Sequence, residues 1–239
     1  MTGYTTRWKE SLEGVLDRHD IILWDTSAIS RDNVLVDKLF SLRQYTDLDN
    51  IEGQLMQEKK VFEWISDVMH TSSKCKAVSG VVSELNALGA LYHKRFAFFA
   101  TQYCLEQRTT KKKKVNYHET IDVEDMKEFP TSLIVLRTVE KTVSRLAYHL
   151  SKKCVSSPIS KSATSQKRGE TDYALVDASV QIYKNGGTAA ILTRDMDIPL
   201  ILGKYHAQYP RTLQRELRDN IGVYMVQRAS YDMVRKAEW

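Results

Sequence analysis

The chain of 239 residues has little of what marks a secreted, fibrous or membrane protein: it contains 3 Cys, 4 Pro and 10 Gly. The cysteines, at positions 75, 104 and 154, are odd in number and widely separated, which argues against a disulfide framework and against a zinc site. No stretch approaches the roughly 18 apolar residues of a membrane helix, and residues 1–9 lack the apolar core of a secretion signal. These absences predict a cytoplasmic protein with reduced thiols and no membrane contact.

Several well-known catalytic and nucleotide-binding motifs are also missing from the sequence. There is no G-x-x-x-x-G-K-[ST] loop, no G-x-G-x-x-G loop and no G-x-S-x-G elbow, which argues against the corresponding nucleotide-binding proteins and serine hydrolases. After Asp25, position 27 is Ser, where phosphatases of the haloacid dehalogenase type need Asp. Position 29 is Ile, where integrin-type metal sites need Ser. With 42% hydrophobic and 27% charged residues, the chain has the composition of an ordinary folded protein.

The positive charge of the chain is concentrated in its middle. The formal net charge is +5, and residues 108–170 contain 14 Lys or Arg against 7 Asp or Glu. This segment includes the run Lys111-Lys112-Lys113-Lys114, whereas the rest of the chain is slightly acidic. A solvated lysine loop is one interpretation, and a binding surface for a polyanion such as nucleic acid is the other. The charge distribution leaves both interpretations open.

Hydrophobic patterns alternate between short apolar runs and amphipathic stretches, which predicts an α/β fold with a mostly parallel sheet. Thr171 is predicted to cap one of the helices, and Asn185-Gly186-Gly187 to end it. The predicted strands are 21–24, 77–78, 189–192 and 222–226. The predicted helices are 1–19, 54–70, 81–104, 132–150, 172–183 and 211–219.

Four carboxylates occupy the ends of predicted strands or the first turns of the helices that follow them. Asp25 follows the first strand, Asp195 follows the strand 189–192, and Glu84 and Asp172 lie in first helical turns. Each has an ordinary role as a turn former or a helix N-terminal charge. In a parallel sheet, however, these positions meet at one edge, and converging carboxylates need a cation to neutralise them. Oxygen ligands favour Mg²⁺ or Mn²⁺, so the sequence predicts a metal site, with Asp197 close behind Asp195.

The local context of these acids, in this order, resembles that of the PIN-domain nucleases. Each motif alone is weak, and the four in order are more specific. The resemblance covers about residues 20–90 and 168–226. The motifs are Ile21-Ile22-Leu23-Trp24-Asp25-Thr26-Ser27, Val81-Val82-Ser83-Glu84-Leu85, Glu170-Thr171-Asp172-Tyr173 and Ile191-Leu192-Thr193-Arg194-Asp195-Met196-Asp197.

The resemblance implies a PIN-like three-layer α/β/α domain over residues 1–239, with a basic, mostly helical insertion at 95–168. It implies a metal-dependent endoribonuclease in which a metal-activated water cleaves RNA phosphodiesters. The implied catalytic and metal-binding residues are Asp25, Glu84, Asp172 and Asp195, with Asp197 as a further ligand of one or two Mg²⁺ or Mn²⁺ ions. The implied substrate-binding residues are Thr26, Ser27, Thr193, Arg194 and Lys111, Lys112, Lys113 and Lys114.

Other functions remain open at the level of sequence. A catalytically inactive PIN-like scaffold would keep the fold but need not keep the acids. A toxin or defence nuclease would share the chemistry and add a protein partner such as an antitoxin. A homodimer is common in the family, and a flap-endonuclease-like enzyme would act on DNA. Asp177 is either an additional outer acid of the site or an exposed helix residue.

Overall fold

The computed structural model describes residues 9–30, 33–111, 129–155, 169–226 and 233–239. Six strands among them form one mixed sheet in the order β1-β6-β5-β4-β2-β3. The pairs β2–β3, β2–β4 and β4–β5 are parallel, while β6 is antiparallel to both β5 and β1. The strands are β1 (Lys9–Ser11), β2 (Ile21–Trp24), β3 (Cys75–Lys76), β4 (Ala189–Thr193), β5 (Ile221–Val226) and β6 (Met233–Lys236).

Helices make up most of the described chain. A 3₁₀ helix at Tyr45–Ile51 leads directly into the α-helix Glu52–Thr71. None of the described helices combines the length and apolar content needed to cross a bilayer. The α-helices are α1 (Leu12–Arg18), α2 (Thr26–Ile29), α3 (Asn33–Ser41), α4 (Glu52–Thr71), α5 (Ser79–Lys111), α6 (Thr131–Ser151), α7 (Glu170–Lys184), α8 (Asp197–His206) and α9 (Arg211–Asn220).

The prediction of an α/β fold with a mostly parallel sheet is confirmed. Strand β4 lies between β2 and β5, and all five of its residues are buried. Its sequence, Ala-Ala-Ile-Leu-Thr, is apolar almost throughout, as expected for a parallel strand covered on both faces. The register pairs Trp24 with Leu192 and Leu192 with Tyr224, so these three strands end at the same edge of the sheet.

The chain divides into two compact units. The first takes its described residues from Met1–Arg31, Ile65–Glu84 and Ala147–Trp239, and it contains the whole described sheet. The second takes its residues from Asp32–Trp64 and Leu85–Leu146, and it is helical where described. It therefore draws on residues before position 95 as well as on the 95–168 segment. The interpretation of that segment as an insertion into one domain stays a prediction.

Two predicted elements are wrong in detail. Residues 9–11 were expected to belong to a helix over 1–19 because of apolar spacing, but they form β1, since backbone pairing with β6 outweighs local spacing. The strand expected at 77–78 lies at Cys75–Lys76, and Ala77 instead forms an isolated bridge with Cys154. The predicted end of α7 is confirmed: Gly186 adopts a left-handed conformation with φ of 82°, and the Gly187 N–H donates to the Ile182 carbonyl at 3.0 Å.

Candidate functional site

The first acid of the candidate site is fixed at the end of β2. Asp25 follows the last residue of this strand, and its backbone N–H donates to the Leu192 carbonyl of β4 at 2.9 Å. Only 4% of Asp25 is exposed to solvent. The parallel pairing of β2 with β4 therefore places its carboxylate next to Thr193, the buried last residue of β4.

Two hydroxyl groups hold the Asp25 carboxylate. Thr193 Oγ1 donates to Asp25 Oδ2 at 2.8 Å, and Ser27 Oγ donates to the same oxygen. The two hydroxyl oxygens also lie 3.2 Å apart, but each carries a single proton, and both protons point to Asp25. Ser27 and Thr193 were predicted to bind substrate; in the structure their hydroxyls orient this acid.

The loop after β4 is organised by the same hydroxyls and by one carboxylate. The backbone N–H of Arg194 donates to Ser27 Oγ at 2.8 Å, and that of Asp195 donates to Thr193 Oγ1 at 2.9 Å. The Asp197 N–H then donates to Asp195 Oδ1 at 2.9 Å, a local turn in which an aspartate satisfies the start of α8. The positions of Asp195 and Asp197 are thus coupled to the hydroxyls around Asp25.

Three of the predicted acids come together directly. Asp172 from α7, Asp195 from the loop and Asp197 from α8 each offer a carboxylate oxygen, and these oxygens all lie within 4.8 Å of one another. Asp172 is partly buried, whereas Asp197 is exposed. All three belong to the unit that contains the sheet. The convergence expected from parallel strand ends is therefore present for residues that are up to 25 positions apart in the sequence.

The electrostatics connect the remaining two acids to this group. Burial, together with the charges of Asp25, Asp195, Glu84 and Asp197, raises the pKa of Asp172 to about 7. Burial also raises the pKa of Asp25, with a contribution from Glu84, although the Ser27 and Thr193 hydroxyls oppose the shift. The other four predicted acids thus all act on Asp172, and Glu84 also acts on Asp25. The site therefore concentrates negative charge around Asp172, where ionisation is disfavoured.

The position of Glu84 depends on a close approach of α5 to α7. Thr171 Oγ1 donates to Glu84 Oε1 at 2.6 Å. A Cβ atom added to Gly80, one turn before Glu84, would lie only 2.5 Å from Thr171 Oγ1, so only glycine leaves room for this hydroxyl. The predicted role of Thr171 as a helix cap is wrong: α7 begins at Glu170, after Gly169, and the Thr171 side chain is turned to Glu84 instead.

The other predicted residues have different surroundings. The Thr26 hydroxyl is buried and has no hydrogen-bond partner among the described residues, while its backbone N–H helps to lower the pKa of Asp25. Arg194 is partly exposed, and its backbone N–H fixes Ser27. Asp177 lies near enough to Tyr205 to add to the rise in the pKa of that phenol. The side chains of Lys111, Lys112, Lys113 and Lys114 lie outside the described residues.

Two features of the site were missed by the sequence analysis. Gly80 carried no signal, because the need for glycine arises only when Thr171 approaches from another helix. The joint hold of Ser27 and Thr193 on one carboxylate oxygen was also not expected, although both residues lie at strand ends, where their contact follows from β2–β4 pairing. The proximity of Asp172 and Asp195 could be expected from sequence because both positions follow from a strand end or a helix start, whereas their role in a site stays a prediction.

The donor set fits a hard divalent cation. All candidate ligand atoms are carboxylate oxygens, which Mg²⁺ and Mn²⁺ prefer over nitrogen or sulfur ligands. Burial and the neighbouring acids raise the pKa of Asp172, and such an ion would neutralise the charge of those acids. Asp172, Asp195 and Asp197 would provide the shared ligands, with the charges of Asp25 and Glu84 close by.

Comparisons with known proteins do not identify a family for this chain. No family model matches the chain, and neither a curated protein nor a solved structure is significantly similar to it. What the site can do therefore rests on its own residues and on the chemistry that they support.

Proposed function

We propose that the protein is a metal-dependent endoribonuclease with a PIN-like catalytic domain. The observation that carries this proposal is the convergence of Asp172, Asp195 and Asp197 within 4.8 Å, beside the interacting charges of Asp25 and Glu84. Five acids from four segments raise the free energy of the metal-free protein. An arrangement with such a cost is typical of a site that acts on a charged ligand.

The proposed cofactor is one or two Mg²⁺ or Mn²⁺ ions held by these carboxylates. When bound, the ions supply an activated water and neutralise the charge that develops during phosphodiester hydrolysis. The protein contributes the fixed positions of its acids. Ser27 and Thr193 orient Asp25, Thr171 orients Glu84, and the turn at Asp195 orients the start of α8.

RNA is the proposed substrate because of the sequence resemblance to PIN-domain nucleases and the basic segment at 108–170. Clustered lysines bind phosphate groups without reading sequence, so they suit a structured RNA backbone. The three-layer architecture, a homodimer and a toxin or defence role with a protein partner belong to the same proposal through the resemblance alone.

The test is incubation of the purified protein with total RNA, with Mn²⁺ or with EDTA. We expect cleavage only with Mn²⁺, and none from Asp25→Asn. Asp20→Asn is a matched control, because Asp20 lies just before β2 and Asp25 just after it; this variant should cleave normally. Cleavage that continues in EDTA or in Asp25→Asn would overturn the proposal. Mn²⁺ binding without cleavage would favour the scaffold alternative.

A further inference from the structure

A cavity of about 480 Å³ lies at the amino end of the parallel strands, on the edge of the sheet opposite to Asp25 and Asp195. Its lining includes His19 just before β2, Thr188 just before β4 and Asp219 just before β5. These three strands are parallel, so the three residues mark their common starting edge. All of the lining residues belong to the unit that contains the sheet. The volume lies within the roughly 300–1,000 Å³ that is typical of small-molecule sites.

A buried histidine and a buried tyrosine form one wall of this cavity. His19 is 6% exposed, Tyr224 is 1% exposed, and His19 Nε2 lies 3.0 Å from the Tyr224 hydroxyl oxygen. The Tyr224 ring reaches His19 by lying over Gly222, where a Cβ atom would be only 2.5 Å from Tyr224 Cε2. The contact between the two side chains therefore depends on the glycine at position 222.

The histidine–tyrosine pair keeps one hydrogen-bond donor that no described residue accepts. Burial, with the charges of Arg18 and Lys236, lowers the pKa of His19 to about 4, so its ring is neutral near physiological pH and carries one N–H. The ring and the phenol then have two protons, and their mutual hydrogen bond uses one. The other proton is on the Tyr224 hydroxyl or on His19 Nδ1, which is buried and has no partner within the described part of the chain. A ligand oxygen would satisfy this donor.

Two cationic side chains line the same cavity. Lys236 lies opposite Tyr224 in the antiparallel pairing of β5 with β6, so the two side chains leave the sheet on the same face. The Lys236 ammonium forms no ion pair with another described residue. Arg18 forms an ion pair with Glu10, but a guanidinium has five N–H donors and keeps others for a ligand. The cavity therefore offers three separate donor groups: Arg18, Lys236 and the histidine–tyrosine pair.

We propose that this cavity binds a small organic phosphate that carries hydroxyl groups, such as a sugar phosphate. A phosphate monoester presents three terminal oxygens, one for each donor group, whereas a carboxylate presents two. Asp219 in the same lining is an acceptor and suits a ligand hydroxyl. The proposal does not depend on the nuclease function, because the cavity and the converging acids lie at opposite edges of the sheet.

The balance of charge in the lining distinguishes this ligand from a nucleic acid. Arg18 and Lys236 are cationic, and Glu10 and Asp219 are anionic, so the lining has no net charge while the histidine is neutral. A nucleic acid backbone is bound by an excess of cationic side chains. One phosphate with neighbouring hydroxyls instead matches donors and acceptors that lie in the same cavity.

The experiment is equilibrium dialysis of the full chain against radiolabelled ribose 5-phosphate, with unlabelled competitors. EDTA is present, so that no metal ion at the acidic edge holds the phosphate. We expect unlabelled ribose 5-phosphate to compete roughly 10-fold or more better than ribose, inorganic phosphate or citrate. Ribose lacks the phosphate, inorganic phosphate lacks the hydroxyls, and the anionic groups of citrate are carboxylates.

Variants locate the binding in the cavity. Lys236→Met removes the ammonium and should weaken binding of ribose 5-phosphate roughly 10- to 100-fold, as expected for one charge-assisted hydrogen bond. Lys236→Gln removes the same charge and should show the same loss. Arg235→Met is the matched control, because Arg235 is also exposed and precedes Lys236 on β6, so it projects from the other face. It should bind as the wild type does.

Asp219→Ala tests the hydroxyl-binding side of the cavity. It removes an acceptor and a negative charge, so ribose 5-phosphate should bind more weakly while inorganic phosphate competes better. Asp172→Asn changes the opposite edge of the sheet and should bind ribose 5-phosphate normally.

Four results would overturn the proposal. The first is that the wild type does not bind ribose 5-phosphate. The second is that Lys236→Met and Arg235→Met weaken its binding equally. The third is that citrate, inorganic phosphate or an RNA oligonucleotide competes as well as ribose 5-phosphate does. The fourth is loss of binding in Asp172→Asn, which would place the phosphate at the acidic edge.

Discussion

Two aspartates at opposite ends of β2 have pKa values that are shifted in opposite directions. Asp20, just before the strand, accepts from the backbone N–H and the hydroxyl of Thr188, each at 2.9 Å, and these bonds lower its pKa. Asp25, just after the strand, also accepts from two hydroxyls, yet its pKa is raised. The comparison shows that two hydrogen bonds suffice for an exposed carboxylate and do not suffice for a buried one beside Glu84.

The two ends of the sheet therefore differ. The ionised form of Asp20 is favoured at the amino end, whereas the ionised form of Asp25 is disfavoured at the carboxyl end. At the amino end of the strands, His19 Nε2 and the Tyr224 hydroxyl pair at 3.0 Å, and Asp20 joins the start of β2 to that of β4 through Thr188. At the carboxyl end, burial and the charges of Asp25, Asp195, Glu84 and Asp197 raise the pKa of Asp172. Functional sites commonly contain groups whose arrangement lowers the stability of the fold.

Asp172→Asn should give the largest effect and should act on stability and activity in opposite directions. Without a charge at this position, repulsion within the cluster falls, so the metal-free variant should melt at a higher temperature than the wild type. Mn²⁺-dependent cleavage should fall by more than the roughly 10- to 100-fold that loss of an outer-shell partner costs. The measurements are thermal melting in EDTA and RNA cleavage in Mn²⁺.

Asp20→Ala changes the amino end of the strands instead, and we expect it to shift the melting temperature in the opposite direction. It removes the acceptor for both Thr188 groups, so its melting temperature should fall while cleavage is retained. If Asp172→Asn lowers the melting temperature as Asp20→Ala does, the acids at the carboxyl end stabilise the fold and do not destabilise it through mutual repulsion. Added Mn²⁺ should raise the melting temperature of the wild type and leave that of Asp172→Asn almost unchanged.

Gly80→Ala tests the approach of α5 to α7 and should have the next largest effect. The new Cβ would meet Thr171 Oγ1 at 2.5 Å, so either the hydroxyl leaves Glu84 or the helices separate. Overpacking of this kind costs about 1–3 kcal/mol of unfolding free energy. We also expect weaker Mn²⁺ binding, because Glu84 loses the Thr171 hydrogen bond. Urea denaturation in EDTA and Mn²⁺ titration calorimetry measure the two effects separately.

Gly53→Ala supplies the control for the glycine change itself. Gly53 lies in the first turn of α4, and a Cβ there would meet nothing within 4 Å. The substitution should stabilise the protein by about 0.5–1 kcal/mol, since alanine loses less conformational freedom in a helix. Equal stabilisation by both alanine variants would show that Thr171 is not confined against Gly80.

The sequence was sufficient to predict that Asp172 and Asp195 lie close together, because their placement follows from local patterns. Asp25 and Asp195 follow apolar strands, Asp172 lies in the first turn of α7, and parallel pairing brings such positions to one edge. Glu84 was expected in a first helical turn, but α5 begins at Ser79, so Glu84 lies in its second turn. The sheet class followed from the same alternation of strands and helices. Roles that depend on hydrogen bonds between elements were not accessible: Thr171 was expected to cap α7, but α5 offers it a carboxylate across the gap that Gly80 leaves.

Elements that depend on distant partners were also missed. Strand β1 has helical apolar spacing in sequence, and its extended form results from pairing with β6, more than 220 residues later. Helix α8 begins within the last acidic motif, where the short distance between Asp195 and Asp197 gave a turn signal but not a helix.

The dependence of stability on pH gives the smallest effect and compares the two ends of the sheet within one protein. Burial and nearby cations lower the pKa of His19 from 6.5 to about 4, so its contribution is present above pH 6.5 and is lost as the pH falls toward 4. The pKa of Asp172 is raised from 3.8 to about 7, so its contribution is present below pH 3.8 and is lost as the pH rises through 7. In EDTA, the melting temperature of Asp172→Asn should therefore match the wild type near pH 4 and exceed it increasingly up to pH 7, whereas His19→Gln should reduce the loss of stability below pH 6.5. A constant difference between Asp172→Asn and the wild type across this range would show that the repulsion does not involve ionised Asp172.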